Sequence, residues 1–219
     1  MNDIIQTERT RLRRLPKRGA FDRDTVYSIL DEAFICHIGF SADEQPYVIP
    51  TSFGRVDDVL YIHGSSASRM LRTLSKEINM CFTATLIDAL VLARSAFHHS
   101  INYRSVVVLG NATLVTDDDE KNNALEAITN HIVPGRWDDV RWPNELELKA
   151  TSVLKLPIEE ASAKVRTGPP IDDEEDYAMN IWAGILPVEL KTGDPIDDDR
   201  LDNGAVPPNN ITNYTRKFR

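Results

Sequence analysis

Between residues 34 and 63 the chain offers three extended segments separated only by tight turns, which leaves no room for the crossover helix that a parallel sheet requires. Residues 34–40 are apolar and rich in β-formers, and Ser41-Ala42-Asp43-Glu44-Gln45 is turn chemistry. Residues 47–53 are extended again, and Val56-Asp57-Asp58-Val59 reverses the chain into residues 60–63. The spacing predicts a three-stranded antiparallel meander before any second helix begins. Long apolar segments at 80–93 and 103–115, and shorter ones at 161–166 and 181–185, continue the β pattern. Apolar periodicity and capping acids predict helices from residue 21, from about 69 to 77, over 117–131 and over 144–156. The expected fold class is mainly β: a β-barrel with peripheral α-helices.

The 219 residues are 42% hydrophobic and 27% charged, enough for a packed core. A formal charge of −9 speaks against nucleic acid or an anionic membrane as partner. That charge is uneven: residues 1–23 hold seven Lys/Arg against three acids, and residues 167–203 hold eleven acids against two basic residues. The expected organisation is a basic N-terminal arm (1–20), one domain (21–190) and an extended tail (191–219), with Asp172-Asp173-Glu174-Glu175-Asp176 as a solvated loop. No run of about 18 apolar residues occurs, and the N-terminus has no apolar leader core, so a reducing cytoplasm is the expected compartment. Cys36 and Cys81 stand far apart in apolar stretches and read as buried free thiols.

Several chemistries lack their parts. None of the ten glycines forms Gly-x-Gly-x-x-Gly, no Gly-Lys pair completes a phosphate loop, and neither His-Glu-x-x-His nor Gly-x-Ser-x-Gly occurs. His98 and His99 are adjacent, so on a strand they would face opposite ways, and no third metal ligand is evident. No metal site is expected. What remains is the strand-to-helix junction His63-Gly64-Ser65-Ser66-Ala67-Ser68-Arg69, where free backbone N–H groups, hydroxyls and a guanidinium can converge on one anion. Arg72, three residues beyond Arg69, shares its helix face. The same residues also describe an ordinary Ser-capped helix with a solvated basic face. Lys164 and Arg166, alternate residues on one strand face, can pair with the acidic loop or meet an anionic substrate, and the first is the expectation.

Segments spread along the chain add a resemblance: Tyr47-Val48-Ile49-Pro50-Thr51, Leu60-Tyr61-Ile62-His63-Gly64-Ser65, Ser68-Arg69, residues 97–107, Lys164-Val165-Arg166-Thr167-Gly168-Pro169-Pro170 and Trp182-Ala183-Gly184. Together, over roughly residues 21–190, they resemble the pyridoxamine 5′-phosphate oxidase-related, FMN-binding split-barrel family. The similarity is closest to its flavin-nucleotide-binding branch, which includes nitroimidazole-resistance-type reductases. The resemblance implies that Val48, Ile49, Pro50 and Thr51 follow the isoalloxazine edge. It places Ile62 and His63 near the ribityl chain or the phosphate, and Ser68 and Arg69 on the phosphate itself. Asn102, Tyr103, Arg104 and Ser105 complete the pocket, and Trp182 reaches the flavin from the other protomer of a homodimer. Each assignment has a plainer counterpart: His63 as a satisfied strand histidine, Tyr103 as barrel packing, Trp182 as a core anchor.

The chain also departs from true pyridoxamine phosphate oxidases. It lacks the Arg and Lys of their first FMN motif around Tyr47–Thr51, and Ile185-Leu186-Pro187 stands where their Arg-Leu-His motif would follow Gly184. Ser68 occupies a place where nitroimidazole-type reductases often have glycine. The expected function is therefore an FMN-dependent oxidoreductase, holding FMN non-covalently at a homodimer interface and taking electrons from NAD(P)H for a small-molecule substrate. The alternatives are a flavin carrier without turnover, or a haem-binding barrel with His63 or the His98-His99 pair as ligand.

Overall fold

The structure is a computed structural model that describes residues 3–201 and 204–214. Expectations for the tail at 202–203 and 215–219, and for the first two residues of the arm, lie outside the described residues. In chain order the elements are β1 (Gly19–Ala20), α1 (Arg23–Glu32), β2 (Cys36–Ala42), β3 (Gln45–Thr51), β4 (Phe53–Val56), β5 (Val59–Ser65), α2 (Arg69–Leu74), β6 (Asn79–Leu92), β7 (Ser100–Asn111) and β8 (Thr113–Leu114). Then follow α3 (Asp118–Ile132), α4 (Glu145–Ala150), β9 (Thr151–Pro157), β10 (Glu160–Arg166), β11 (Gly184–Pro187) and α5 (Asn209–Thr212). No helix among the described residues is long and apolar enough to cross a membrane.

The chain divides into two compact units. The first comprises Met1–Ala33, Thr83–Val108 and Glu160–Leu190. Here β1, β10, β7 and β6 lie side by side in that order, and β11 runs antiparallel to the end of β6, from Gly184 opposite Leu92 to Pro187 opposite Ala89. Asp22 caps α1 by accepting from the Thr25 N–H at 2.8 Å, and the helix buries Val26, Ile29 and Leu30. Val91, Val106, Val108, Ala161 and Ala163 complete this core. The N-terminal segment is docked rather than loose. Ile4 is buried and its N–H reaches the Phe21 carbonyl at 2.9 Å, while Arg9 and Thr7 both bond Glu160.

The second unit comprises Phe34–Phe82, Leu109–Glu159 and Lys191–Arg219. It holds the β2–β3 hairpin beside the start of β6, and a four-stranded sheet in the order β4-β5-β9-β8. The hairpin turn is two residues long, and Asp43 (φ 51°) and Glu44 (φ 63°) both take the left-handed conformation that matches strand twist. The expected three-stranded meander is not one sheet. The chain breaks at Ser52, so that β3 lies at the edge of one sheet and β4 at the edge of the other. The residues account for this. Pro46 and Pro50 cannot donate to a ladder and suit an edge strand, whereas Phe53 and Gly54 are buried beneath α3. Phe53 meets Phe82 edge-on at 5.0 Å and His131 at 4.5 Å, while Ala124 and Ile128 of α3 pack with Tyr61, Val115 and Val153.

The helix expected over 144–156 is half helix and half strand. Asn144 and Glu147 form a capping box, but α4 stops at Ala150 and the β-branched Thr151 and Val153 enter β9. The strand expected at 181–185 begins only at Gly184. The tail is exposed through 191–201 and then returns. Asn210 Nδ2 donates to Asp139 at 2.7 Å and the Tyr214 hydroxyl to the Ile132 carbonyl at 2.6 Å. Cys36 is a buried free thiol, and Cys81 is half-buried.

Gly54 sits where β4 and α3 touch: a Cβ there would lie 2.7 Å from the Ile128 nitrogen and 2.8 Å from the Ala127 carbonyl carbon, both backbone. Gly54→Ala is therefore expected to lower stability by about 1–3 kcal/mol. Urea unfolding measures this, and an unchanged midpoint would show that α3 gives way without cost.

Candidate functional site

In the second unit, β5 pairs with β9 until Ser65 stands opposite Thr151, and one further bond carries the Ser66 N–H to the Ala150 carbonyl at 2.8 Å. The chain then turns: the Ser68 N–H reaches the Ser65 carbonyl at 2.8 Å, and the Ser65 hydroxyl accepts from the Ala67 N–H at 3.2 Å. Gly64 lies close over α2, since a Cβ there would stand 3.1 Å from Leu71 Cδ1. Ser68 is the N-cap residue of α2, but its hydroxyl makes no capping bond. The Ser-capped alternative is met in position, with Ser68 at the N-cap and Arg69 and Arg72 exposed, but not in a capping bond from the serine side chain.

Met70, Leu71 and Leu74 are buried, which turns Arg69 outward. Its guanidinium lies over the Tyr47 ring, 4.5 Å from the centroid, and Tyr47 in turn stacks on Phe40 at 5.5 Å. Arg69 has no carboxylate partner among the described residues. This contact brings Ser68 and Arg69 to β3, whose outward side includes Val48, 70% exposed, and Pro50, while Ile49 and Thr51 are half-buried. The strand motif gives Tyr47 no role of its own, because a cation–aromatic contact across twenty-two residues leaves no trace in local spacing. Ile62 is buried and His63 half-buried, with its Nδ1 enclosed and unpartnered. Burial holds the imidazole below its ordinary pKa.

The remaining expected residues lie in the first unit. Arg104 is fully engaged: it bonds Glu32 at 2.5 and 2.8 Å and Asp88 at 2.7 and 3.1 Å, and the hydrogen bonds to Glu32 and then Asp88 raise its pKa. A guanidinium so paired has its charge balanced by two carboxylates and four of its five N–H groups committed, which makes it a poor phosphate anchor. Asn102 is buried, 6% exposed, and gives its amide to the Gly168 carbonyl at 3.1 Å while its Oδ1 accepts from Arg166. Tyr103 and Ser105 are half-buried, and Lys164 Nζ stands 5.9 Å from the Tyr103 ring centroid. Trp182 is 68% exposed, so it is no core anchor, and its ring lies over Gly184, where a Cβ would approach within 2.9 Å.

The acidic loop is not simply solvated. Asp172 is buried and accepts from the Arg94 N–H at 2.9 Å, the Ser95 N–H at 3.2 Å and the Arg94 guanidinium at 3.2 Å. Burial alone would raise its pKa, but these bonds outweigh burial and hold it low. Asp173 lies 3.3 Å from His98 Nε2, and Asp176 joins them so that one ligand atom from each falls within 4.8 Å of the others. The pairing of Lys164 and Arg166 with this loop does not occur; Arg94 and His98 take its carboxylates, and Arg166 bonds Asn102 instead.

The antiparallel, mainly β fold with peripheral helices is that of the split-barrel class. The sequence model of the pyridoxamine 5′-phosphate oxidase family matches residues 22–165, and the chain belongs to that family. The flavocytochrome Anf3 from Azotobacter vinelandii is similar over 94% of this chain and 96% of its own, with 40% identity and a TM-score of 0.89. The FAD and heme binding protein from Mycobacterium smegmatis matches 90% of this chain and 97% of its own, with 33% identity and a TM-score of 0.86. A candidate 5-nitroimidazole antibiotic resistance protein from Bacteroides thetaiotaomicron shares the fold at 24% identity and a TM-score of 0.58, over 78% of this chain and 90% of its own. No curated protein sequence matches.

His63 offers a test in solution. The unfolded chain takes up a proton near pH 6.5, while the folded chain resists it until lower pH. Stability is therefore full above that value and falls as pH drops through the window beneath it. His63→Leu should flatten this acid limb of the urea midpoint, and an unchanged slope would show that the ring titrates freely.

Proposed function

We propose that the chain is a flavin-dependent oxidoreductase that anchors a flavin nucleotide by its phosphate at the start of α2. The observation that carries this reading is the pair of uncommitted groups there: the Ser68 hydroxyl does not cap its helix, and the Arg69 guanidinium is held over Tyr47 without a carboxylate. Together they offer a neutral donor and a cation to one anion. The backbone of β3 from Val48 to Thr51, at the edge of its sheet, presents unpaired N–H and C=O groups along which a planar ring can lie. His63, neutral at physiological pH, serves there as a hydrogen-bonding group rather than a counter-charge. Tyr103 and Ser105 are retained as ligand-facing residues, and Arg104 is withdrawn because its charge is spent on Glu32 and Asp88. When bound, the flavin supplies hydride or single-electron chemistry, with NAD(P)H as the donor and a small molecule as the acceptor.

A homodimer is part of this reading, and the surface of the first unit supports it. Ile181, Trp182, Leu186, Val188 and Leu190 are all exposed along one short stretch, an apolar run that a second copy would cover. Trp182 would then meet the partner's flavin, and dilution to monomer should release the cofactor; a monomer that keeps its flavin would contradict the shared site.

A second reading adds haem. Two relatives matched over nearly their whole length are named a flavocytochrome and an FAD and heme binding protein, and FAD in place of FMN is the form that the second of these names. In this chain His99 is exposed and its Nδ1 lies 2.9 Å from the Ser95 carbonyl, which leaves Nε2 as the free nitrogen in the arrangement common to metal-ligating histidines. The absorbance spectrum of the isolated protein decides between the readings. Flavin bands alone support the first, and an added Soret band that His99→Ala abolishes supports the second. A bound flavin that NADH and NADPH both fail to reduce would support the carrier.

Arg69→Ala is expected to weaken FMN binding by about 1.5–3 kcal/mol, the range for a hydrogen bond to a charged group. Riboflavin, which has no phosphate, should bind both proteins equally. Equal FMN affinity in titrations of the two would remove Arg69 from the phosphate site.

A further inference from the structure

Arg166 is a buried cation without a counter-ion. Only 8% of it is exposed, its Nε is enclosed with no hydrogen-bond partner, and its one bond runs from Nη1 to the neutral Oδ1 of Asn102. Four carboxylates of the first unit are held by other cations, and none of the ion pairs among the described residues involves Arg166. Glu32 and Asp88 pair with Arg104, Asp172 with Arg94, and Glu160, on the same strand as Arg166, with Arg9. Arginine cannot shed its proton in a protein, so the charge stays and the burial is unfavourable until something negative arrives.

The surroundings add positive charge. Gly19 pairs with Lys164 across β1 and β10, which brings Arg18, the preceding residue, to the same end of the sheet; burial first and Arg18 second disfavour the protonated guanidinium of Arg166, and Tyr103 offsets part of this. Lys164 lies two residues before Arg166, on the same strand face. Asn102 is turned deliberately toward the guanidinium. Its amide nitrogen is tied to the carbonyl of Gly168, and Gly168 has φ +100°, a conformation that L side chains rarely adopt, so the oxygen is the end that faces Arg166.

We propose that Arg166, with Arg18 beside it and Asn102 as the positioning residue, is a receptor for one oxyanion, a carboxylate or phosphate carried by a bound small molecule. The receptor is built from residues of the first unit and does not require the flavin reading. Three sources share the chemistry: the phosphate of a flavin nucleotide, a carboxylate of haem, and the acidic group of a substrate.

The test uses the cofactor-free full chain, Arg166→Gln, which keeps the polar shape without the charge, and Arg166→Lys, which keeps the charge without the fork. In chloride alone Arg166→Gln should melt at or above the wild-type temperature. Inorganic phosphate or succinate, at constant ionic strength, should raise the wild-type melting temperature and leave that of Arg166→Gln unmoved, with Arg166→Lys between them. If the wild type prefers FMN over riboflavin at least tenfold and Arg166→Gln loses that preference, the anion is the flavin phosphate. If the lost preference is for haem over its dimethyl ester, the anion is a haem carboxylate. If only phosphate or succinate discriminates, the anion belongs to a substrate. Should Arg166→Gln fail to fold, tenfold weaker oxyanion binding by folded Arg166→Lys still supports the receptor. No difference between wild type and the variants toward any of these probes overturns it, and a chloride-only destabilisation without anion response assigns Arg166 a structural role instead.

Discussion

The antiparallel pairing of β5 with β9 sets where the second unit can do chemistry. It holds seven residues of β5 in register, from Val59 opposite Pro157 to Ser65 opposite Thr151, and the Ser66 bond to Ala150 ties off the last step. Because α4 ends at that same Ala150, the helix and the strand that precede the junction are anchored at one point. The backbone cannot continue as strand beyond it, and the serines that follow satisfy one another locally. That leaves Ser68 with helical duties for its carbonyl and none for its hydroxyl. A polar side chain released in this way is what a ligand's anion can use without first breaking a bond of the protein.

In the first unit the governing constraint is the allocation of charge. Arg104 takes two carboxylates, Arg94 takes a buried one and Arg9 takes Glu160, so the less exposed acids of the unit are committed to cations while Glu174 and Glu175 stay exposed. These pairs differ in weight. Arg9 is largely exposed and its pairing with Glu160 is screened by water, whereas Asp172 is enclosed and links two loops by three bonds. Pulling that carboxylate out would leave the Arg94 and Ser95 N–H groups without acceptors, which is why an acid in a run of five acids is the one that holds position.

Where the sequence could be read, the signal was local. Turn residues at 41–45 and 56–59, the capping acids of α1 and α3, and the hydroxyl-rich start of α2 each carry their structural meaning within a few positions, and each lies where expected. Residues 144–156 mislead for a physical reason. The capping box at Asn144 favours a helix, and only the distant partner strand β5 makes extended backbone the better choice from Thr151 onward. Asp172 could not be told from its acidic neighbours, because its burial depends on Arg94 and Ser95, nearly eighty residues away in sequence. Separation in sequence also hides the contact of Tyr47 with Arg69, twenty-two residues away, and the lack of an acidic partner for Arg166 among the described residues. Propensity reports what a segment prefers, and none of these is a property of a segment.

The two uncommitted arginines represent opposite energetic situations. Arg69 is outside, its cation already solvated and loosely satisfied by an aromatic face, so an arriving anion gains a positioned donor and the protein loses little by waiting. Arg166 is inside, with part of its hydration gone and a neutral amide as sole partner, so the ligand-free protein carries a desolvation cost that a bound anion removes. An exposed guanidinium therefore sets where a ligand can be caught, and a buried one couples the ligand to the stability of the fold that holds it. The family fold supplies the frame for the first. The second is built from Arg166 on β10, Asn102 on β7 and the positive-φ Gly168, whose carbonyl holds the amide nitrogen of Asn102.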